Sequence, residues 1–336
     1  MAPRLDVRGL TVKIPTTRGW VCPVNDVSLV LRPGETLGIV GESGSGKTML
    51  SLALMGLEPS GARRSGEALL RSGGEAERAP ACDLIAMGRK EMRQIRGRDI
   101  AMIFQEPMTA LNPVVRVGAQ IAEAIRLHEP RLNRAERNAG VLHALERASV
   151  PNPPLRARQY PHQLSGGLRQ RVMIAMALAA GPGVLIADEP TTALDVTVQK
   201  QILQLLARLR EQMRLSMLFI THDLGVIAQV ADRVAVMYAG RIVEEGPVGE
   251  VLRRPRHPYT AGLLRAAPRL KPEKPEPIPG MVPALDALPA GCCFAPRCSH
   301  TTALCEERVP ELRAAHAGGP DAASGADHRA RCVLVK

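Results

Sequence analysis

Gly41-Glu42-Ser43-Gly44-Ser45-Gly46-Lys47-Thr48 fits the pattern G-x-x-x-x-G-K-[ST]. An apolar strand pattern, Leu37-Gly38-Ile39-Val40, comes before it, and a helical pattern, Met49-Leu50-Ser51-Leu52-Ala53-Leu54, follows. That context makes the stretch a phosphate-binding loop rather than a flexible Gly/Ser turn. The glycines let backbone N–H groups curl around the β- and γ-phosphates of a nucleotide. Lys47 adds a point charge there, the Thr48 hydroxyl suits Mg²⁺, and the helix N-terminus favours an anion. Thr36 to Val40 reads as the strand feeding the loop.

Working outward, Leu5, Val7, Leu10, Val12 and Ile14 suggest an early strand, and Val27, Leu29 and Leu31 alternate before the Pro33-Gly34 turn. Residues 57–99 are rich in Gly, Arg and Ala and read as turns and short strands. Ile100 to Phe104 predicts a strand, residues 114–148 carry helical spacing, and residues 168–180 predict a helix. Val184 to Ala187 predicts a strand, 196–213 a helix, and Leu218 to Thr221 a strand. This alternation indicates a mostly parallel α/β core. From about Pro255 the texture changes, and residues 268–290 hold many prolines with little periodicity, as a linker or irregular tail would. No internal repeat is visible.

Val184-Leu185-Ile186-Ala187-Asp188-Glu189 is an apolar strand ending in two carboxylates. Asp188 suits Mg²⁺ through water, and Glu189 points elsewhere, where it can orient or deprotonate an attacking water. Leu164-Ser165-Gly166-Gly167-Leu168-Arg169-Gln170 opens a helix, and a Ser with two glycines at a helix N-terminus makes a second anion site. That helix spans roughly 20 Å and leads back to the Asp188 strand. The second anion site therefore points away from this chain's own nucleotide and toward a partner's, which implies a dimer.

The 336-residue length predicts a main domain and a smaller appendage, and 45% apolar residues supply a sizeable core that is only 2% aromatic. The net charge of +11 suggests an anionic partner. Nucleic acid is not expected: nothing interleaves aromatics with the basic residues, and the arginines are spread along the chain. The N-terminus has no apolar h-region. The run Val172 to Ala187 is shorter than the ~20 residues of a spanning helix and is interrupted at Gly181-Pro182-Gly183. A cytosolic chain, or one peripheral to a membrane, is expected.

At the signature Leu164-Ser165-Gly166-Gly167-Leu168 the chain resembles the ATPases of ABC transporters, with Leu168 where many relatives have Gln. The resemblance implies a P-loop ABC cassette: a RecA-like core, an antiparallel β subdomain and an α-helical subdomain at about 108–180. On matching residues it implies that Gln105, in Phe104-Gln105-Glu106-Pro107, is a Q-loop residue that senses Mg²⁺ and couples to a membrane partner. Ala193-Leu194-Asp195 resembles the D-loop, and His222 resembles the switch histidine that contacts the γ-phosphate. Relatives stack an aromatic ring on adenine; Trp20 is the aromatic available, and Ile14 is the other position that could meet the base.

Three further stretches resemble the oligopeptide/dipeptide/nickel permease branch: Ile103-Phe104-Gln105-Glu106-Pro107-Met108 through Leu111-Asn112-Pro113, then Tyr160-Pro161-His162-Gln163-Leu164-Ser165, and His257-Pro258-Tyr259-Thr260. Arg171 to Ala177 with Thr191-Thr192-Ala193-Leu194-Asp195 looks like the D-type of the two ATPase subunits. The resemblance implies an ATPase domain at 1–255 and an irregular, Cys-containing extension at 256–336. It implies an F-type ATPase partner, two transmembrane permease subunits, and an extracytoplasmic solute-binding protein acting indirectly. It places the chain peripherally on the cytoplasmic side of the cell (inner) membrane. A non-transport ABC ATPase acting on ribosomes or DNA is the alternative, and a nucleotide-binding regulator without turnover is a third class.

Of seven cysteines, Cys22 and Cys82 stand apart and five cluster near the C-terminus. Taking Cys292 as the first ligand gives C-x5-C-x6-C-x26-C through Cys298, Cys305 and Cys332. Four thiolates suit tetrahedral zinc or an iron–sulfur cluster, and free thiols or a disulfide are the remaining reading. The branch resemblance favours a 4Fe–4S cluster. Cys293 falls where relatives often carry Arg, although it could replace Cys292.

Overall fold

The computed structural model describes residues 2–72, 81–192, 194–267, 276–314 and 328–335. The expected linker at 268–290 is described only from residue 276, and 276–290 carry no helix or strand; its first residues, 268–275, lie outside the described set. Two sheets organise the chain. An antiparallel sheet has the order β2-β1-β4-β5, with β1 Leu5–Thr16, β2 Gly19–Leu31, β4 Arg63–Leu70 and β5 Cys82–Asp83. The second runs β11-β12-β10-β9-β3-β8-β7-β6. Its centre is β3 Thr36–Val40, flanked by β8 Ser216–Thr221 and β9 Arg233–Tyr238, with β7 Val184–Asp188 and β6 Ile100–Ile103 beyond β8. These five strands pair in parallel, while β10 Arg241–Pro247 turns back antiparallel to β9.

The parallel strands are fully buried because both faces are covered, so they read as continuous apolar runs. Alternate residues of one strand serve two cores. Val184 and Ile186 of β7 pack toward the antiparallel sheet and the helix Lys47–Leu54. Leu185 and Ala187 pack on the opposite face with Phe219 and the helices Gly166–Leu178 and Val196–Met213. This is the two-residue period of a strand put to use.

The helical subdomain is built from Val117–His128, Arg134–Arg147, Pro153–Arg158 and Gly166–Leu178. Asn133 caps the second of these, accepting from Ala135 and Glu136 N–H, while the Glu136 carboxylate accepts from Asn133 N–H.

The sequence reading is extended at the C-terminal end. The tail is not only irregular: β11 Arg313–Ala314 and β12 Arg329–Ala330 add two short strands to the edge of the main sheet. Arg329 pairs with the buried Glu245, and His328 Nε2 lies 2.7 Å from the fully buried Glu244. The helix Pro258–Ala266, opened by His257 as N-cap, lies between core and tail. Among the described residues no helix is long and apolar enough to cross a membrane.

Candidate active site

The carboxyl ends of β3, β8, β7 and β6 deliver the site, as open parallel sheets do. The loop after β3 is shaped by its neighbours. A Cβ on Gly41 would stand 2.1 Å from the Met237 carbonyl oxygen, and one on Gly46, at φ +102°, 1.9 Å from that of Pro23. Gly44, at φ +79°, faces open space, so the loop leaves its outer side clear for phosphate. The helix Lys47–Leu54 begins at Gly46 with no side-chain cap, which leaves its first N–H groups free for an anion. Ser45 is buried within the loop, whereas Ser43 is exposed.

Lys47 Nζ donates to Gly41 O at 2.7 Å, Glu42 O at 3.0 Å and Ser45 Oγ at 3.3 Å. Burial pushes its pKa down, and the charges of Glu189, Asp188 and Glu42 pull it back up. Asp188 is 1% exposed at the end of β7. It accepts from Thr48 Oγ1 at 3.4 Å and Ser51 Oγ at 3.3 Å. Burial raises its pKa, and the two hydroxyls oppose that shift. Hydroxyl and carboxylate oxygens set side by side below a phosphate loop fit a hard divalent cation. Ser51 was missed in the sequence. It sits three residues after Thr48 and so on the same helix face, a spacing that could have revealed it.

Glu189 holds a left-handed backbone, φ +46°, with its N–H donating to Ile220 O at 2.9 Å. A non-glycine residue in that region stores strain, a feature concentrated at functional sites. Its carboxylate gathers three groups. Thr192 Oγ1 donates at 2.7 Å, Gln105 Nε2 donates at 3.3 Å, and His222 Nδ1 lies at 3.3 Å. Gln105 follows β6 and His222 follows β8, so three strand ends meet at one carboxylate. Thr192 is the second residue the sequence reading passed over, although it lies in a stretch already singled out.

Ser165 caps the helix Gly166–Leu178 by accepting from Leu168 N–H at 3.4 Å, and Ser165 and Gly166 are exposed. A Cβ on Gly167 would press on Val198 at 2.9 Å, so this turn lies against the start of the helix Val196–Met213. Asp195 caps that helix, accepting from Thr197 and Val198 N–H; Ala193 of the same expected loop lies outside the described residues. Trp20 is half-exposed at the β1–β2 hairpin, and the Arg63 guanidinium covers its ring at 4.6 Å. It stands three residues, about 10 Å of strand, from the Pro23 carbonyl that packs on Gly46.

Cys292, Cys298, Cys305 and Cys332 all line one small cavity, together with His257, Phe294 and His300. Cys292 N–H donates to Cys305 O at 2.7 Å. None of the four is joined in a disulfide, and burial pushes Cys292 up to about 11. Cys293 does not line the cavity and interacts instead with Arg241 and Arg331. Among the described residues, no three His, Cys, Asp or Glu side chains are arranged to hold a metal ion. The four expected ligands thus line one cavity without forming a metal-binding group, and neither the expected 4Fe–4S cluster nor a zinc site is supported by the arrangement.

The ABC transporter family matches residues 24–192, and the family described as the C-terminal region of oligopeptide/dipeptide transporters matches residues 243–305. A putative peptide import ATP-binding protein of Brucella ovis is 50% identical over 98% of this chain and 97% of its own length. Another, of Brucella abortus, is 47% identical over 92% of this chain and 91% of its own. Among solved structures, the dimeric ATP-binding cassette MJ0796 bound to ADP and Pi aligns with TM-score 0.62 and 28% identity over 73% of this chain and 98% of that one. The cbiO1 subunit of the Clostridium perfringens transporter complex cbiONQ aligns with TM-score 0.60 and 27% identity, over 76% and 92%. On these matches the chain belongs to the ABC transporter family, as the ATP-hydrolysing subunit of an importer that carries the oligopeptide/dipeptide-type C-terminal region.

Proposed function

We propose that this chain drives uptake of peptides or a related small solute, such as nickel, glutathione or an opine. It works as one half of a nucleotide-sandwich dimer whose other half is an F-type paralogue. The pair sits on two transmembrane permease subunits at the cytoplasmic face of the cell membrane, and an extracytoplasmic binding protein supplies the solute indirectly. The names of the Brucella relatives, putative peptide import ATP-binding proteins, support peptide import over an action on ribosomes or DNA. We divide the chain into an ATPase domain at 1–255 and an extension at 256–336, a reading supported by two separate family matches, at 24–192 and 243–305.

The observation that carries the catalytic reading is the convergence of Gln105, His222 and Thr192 on Glu189 beside Asp188. In this reading Lys47 and the loop N–H groups bind the β- and γ-phosphates. Mg²⁺ held by Thr48 and Asp188, with Gln105 nearby, would neutralise charge on the triphosphate. Glu189 takes a proton from water as the water oxygen bonds the γ-phosphorus. The bond to the β-bridging oxygen breaks and ADP leaves. His222 steadies the γ-phosphate. Ser165, Gly166, Gly167 and Asp195 face the nucleotide of the partner ATPase.

Glu189→Gln tests this reading. In the assembled transporter it should cut ATP hydrolysis by about 100-fold or more while ATP binding is kept. Hydrolysis at the parent rate would sink the assignment. Loss of co-purification when the permease genes are removed would tie the chain to its membrane partners.

In the extension, Cys292, Cys298, Cys305 and Cys332 would ligate a 4Fe–4S cluster. Their shared cavity supports the choice of these four. The cluster would supply a cross-link between the tail's turns and a charge that responds to redox state. Oxygen-free purification should return about four iron and four sulfide per chain. Stoichiometric zinc without sulfide would replace the cluster by a staple, and neither metal would leave free thiols.

A further inference from the structure

Only seven aromatic rings occur in the chain: one Trp, three Tyr and three Phe. Three of them meet where the extension touches the core. Tyr238 ends β9, Tyr259 lies in the first turn of the helix Pro258–Ala266, and Phe294 belongs to the cysteine segment. Their ring centroids are 4.5 Å (Tyr238–Tyr259), 5.3 Å (Tyr238–Phe294) and 5.4 Å (Tyr259–Phe294) apart. The Arg297 guanidinium lies over two of these rings, 5.8 Å from Tyr238 and 5.9 Å from Phe294. It is fixed there by donating to Pro279 O at 3.0 Å and Ile278 O at 3.4 Å.

From this seat Arg297 reaches the phosphate loop. Nη1 donates to Glu42 Oε2 at 2.7 Å and Nη2 to Glu42 Oε1 at 3.1 Å, a two-pronged pair with the arginine side chain 3% exposed. Glu42 N–H donates to Tyr259 Oη at 2.9 Å. The second residue of the loop is thus held by the extension at both its backbone and its side chain. The Glu42 carboxylate also acts on Lys47. Left bare, it would stand as a like charge beside a bound triphosphate. Arginine keeps its charge at any working pH and matches a carboxylate fork with its own.

We propose that Arg297 is a positioning residue for ATP binding: it cancels and anchors Glu42, with Tyr259 holding the same residue's backbone, so that ATP affinity depends on the extension being seated against the phosphate loop. The inference rests on the chain being an ATPase. The parent's own hydrolysis in the same assay separates failure of that reading from failure of this one.

The test measures ATP KM and kcat in the assembled transporter, with melting curves as the folding control. Arg297→Met should raise KM for ATP by about 10-fold, the loss of one charge-assisted contact, with kcat within about two-fold. Arg297→Lys should recover part of the shift. The decisive variant is the double one. If Arg297 acts by cancelling Glu42, E42Q/R297M has a KM within about two-fold of E42Q alone. An unchanged KM in folded R297M overturns the proposal. So does a double variant as impaired relative to E42Q as R297M is relative to the parent, because that pattern belongs to general docking of the tail. Should R297M fail to fold, Tyr259→Phe carries the test: about a three-fold rise in KM is expected for a lost neutral hydrogen bond, and no rise overturns the proposal.

Discussion

The catalytic edge of the main sheet and the cysteine-bearing extension are built on opposite plans. At the catalytic edge, each functional group ends a strand or opens a helix, and its neighbours in sequence fix its position. Lys47 and Thr48 start a helix, Asp188 ends β7, and His222 follows β8. In the extension almost nothing is periodic. Cys292 and Cys332 are brought to one cavity by turns, a five-residue helix and two-residue strands anchored on β10. In the first region the side chains that meet at the site are named by their local sequence, although the loop itself leans on Met237 and Pro23. The second is specified by contacts across the fold, and it returns that dependence by gripping Glu42. Chemistry is concentrated in the first region and conditional support in the second.

That contrast predicts unequal consequences of damage. Lys47→Ala removes the charged donor that the proposed reading assigns to the phosphates and should weaken ATP binding by about 10- to 100-fold, the range for a hydrogen bond to a charged group. Equilibrium titration with ATP in the full chain measures it. Lesions confined to the extension should stay at or below about 10-fold in the same titration. A cysteine or Arg297 variant that matched Lys47→Ala while still folded would break the comparison, because the extension would then be part of the binding chemistry.

The same contrast explains what could be read from the sequence. Thr36–Val40 and Val196–Met213 were legible to the residue. The first is a buried run bounded by the Pro33-Gly34 turn and a glycine, and the second is opened by Asp195, which caps its N–H groups. The candidates Lys47, Thr48, Asp188, Glu189 and His222 stood out because each sits inside a contiguous pattern, whereas Ser51 and Thr192 did not. Residues 57–99 hide β4, whose RRSGEALL run lacks alternation and bends at Gly66, φ +98°, where it crosses Arg8 and Gly9. The strands β11 and β12 are two residues each, too short for any period to show. Cavity lining by four cysteines could be guessed from their spacing and family likeness. The pairing of Arg297 with Glu42 could not, since 255 residues separate them and neither stands in a pattern that names the other.

A smaller effect sharpens the account of the core. Asp188 is enclosed, and its pKa is raised by burial above the ordinary carboxyl value. The folded chain then holds that proton more tightly than the unfolded one. The group's contribution to stability is present below the ordinary carboxyl pKa and is lost as pH rises through the raised value. At neutral pH, without nucleotide or Mg²⁺, the charged carboxylate is a net strain on the core. Asp188→Asn should therefore raise the melting temperature of the nucleotide-free chain by about 2–4 °C at pH 7.5, with the gain vanishing near pH 4, although it abolishes Mg²⁺-dependent hydrolysis. A lower melting temperature at pH 7.5 would mean that Thr48 and Ser51 already compensate the charge.

The smallest effect falls on the extension and carries the opposite sign. His257 is 2% exposed and is pushed down to about 4 by burial, with the Glu244 charge opposing the shift. Its Nδ1 accepts from Tyr259 N–H at 3.1 Å, and its backbone N–H donates to Glu244 Oε2 at 2.9 Å, so it joins the helix that holds Glu42 to the edge of the sheet. A histidine held neutral contributes stability that is present above its ordinary pKa near 6.5 and is lost as pH falls toward 4. At pH 6 the loss is about 1 kcal/mol. Hydrogen exchange should then show the segments 258–266 and 292–305 opening faster at pH 6 than at pH 7.5, after correction for intrinsic rates, while β3 and β7 keep their protection. His328 Nε2 faces the same Glu244 carboxylate, so the source of the effect needs its own control: His257→Asn should flatten the pH dependence, and an unaltered dependence would remove His257 as its source. If β3 loses protection together with the extension, the two regions open as one unit, and the contrast between them does not reach their stability.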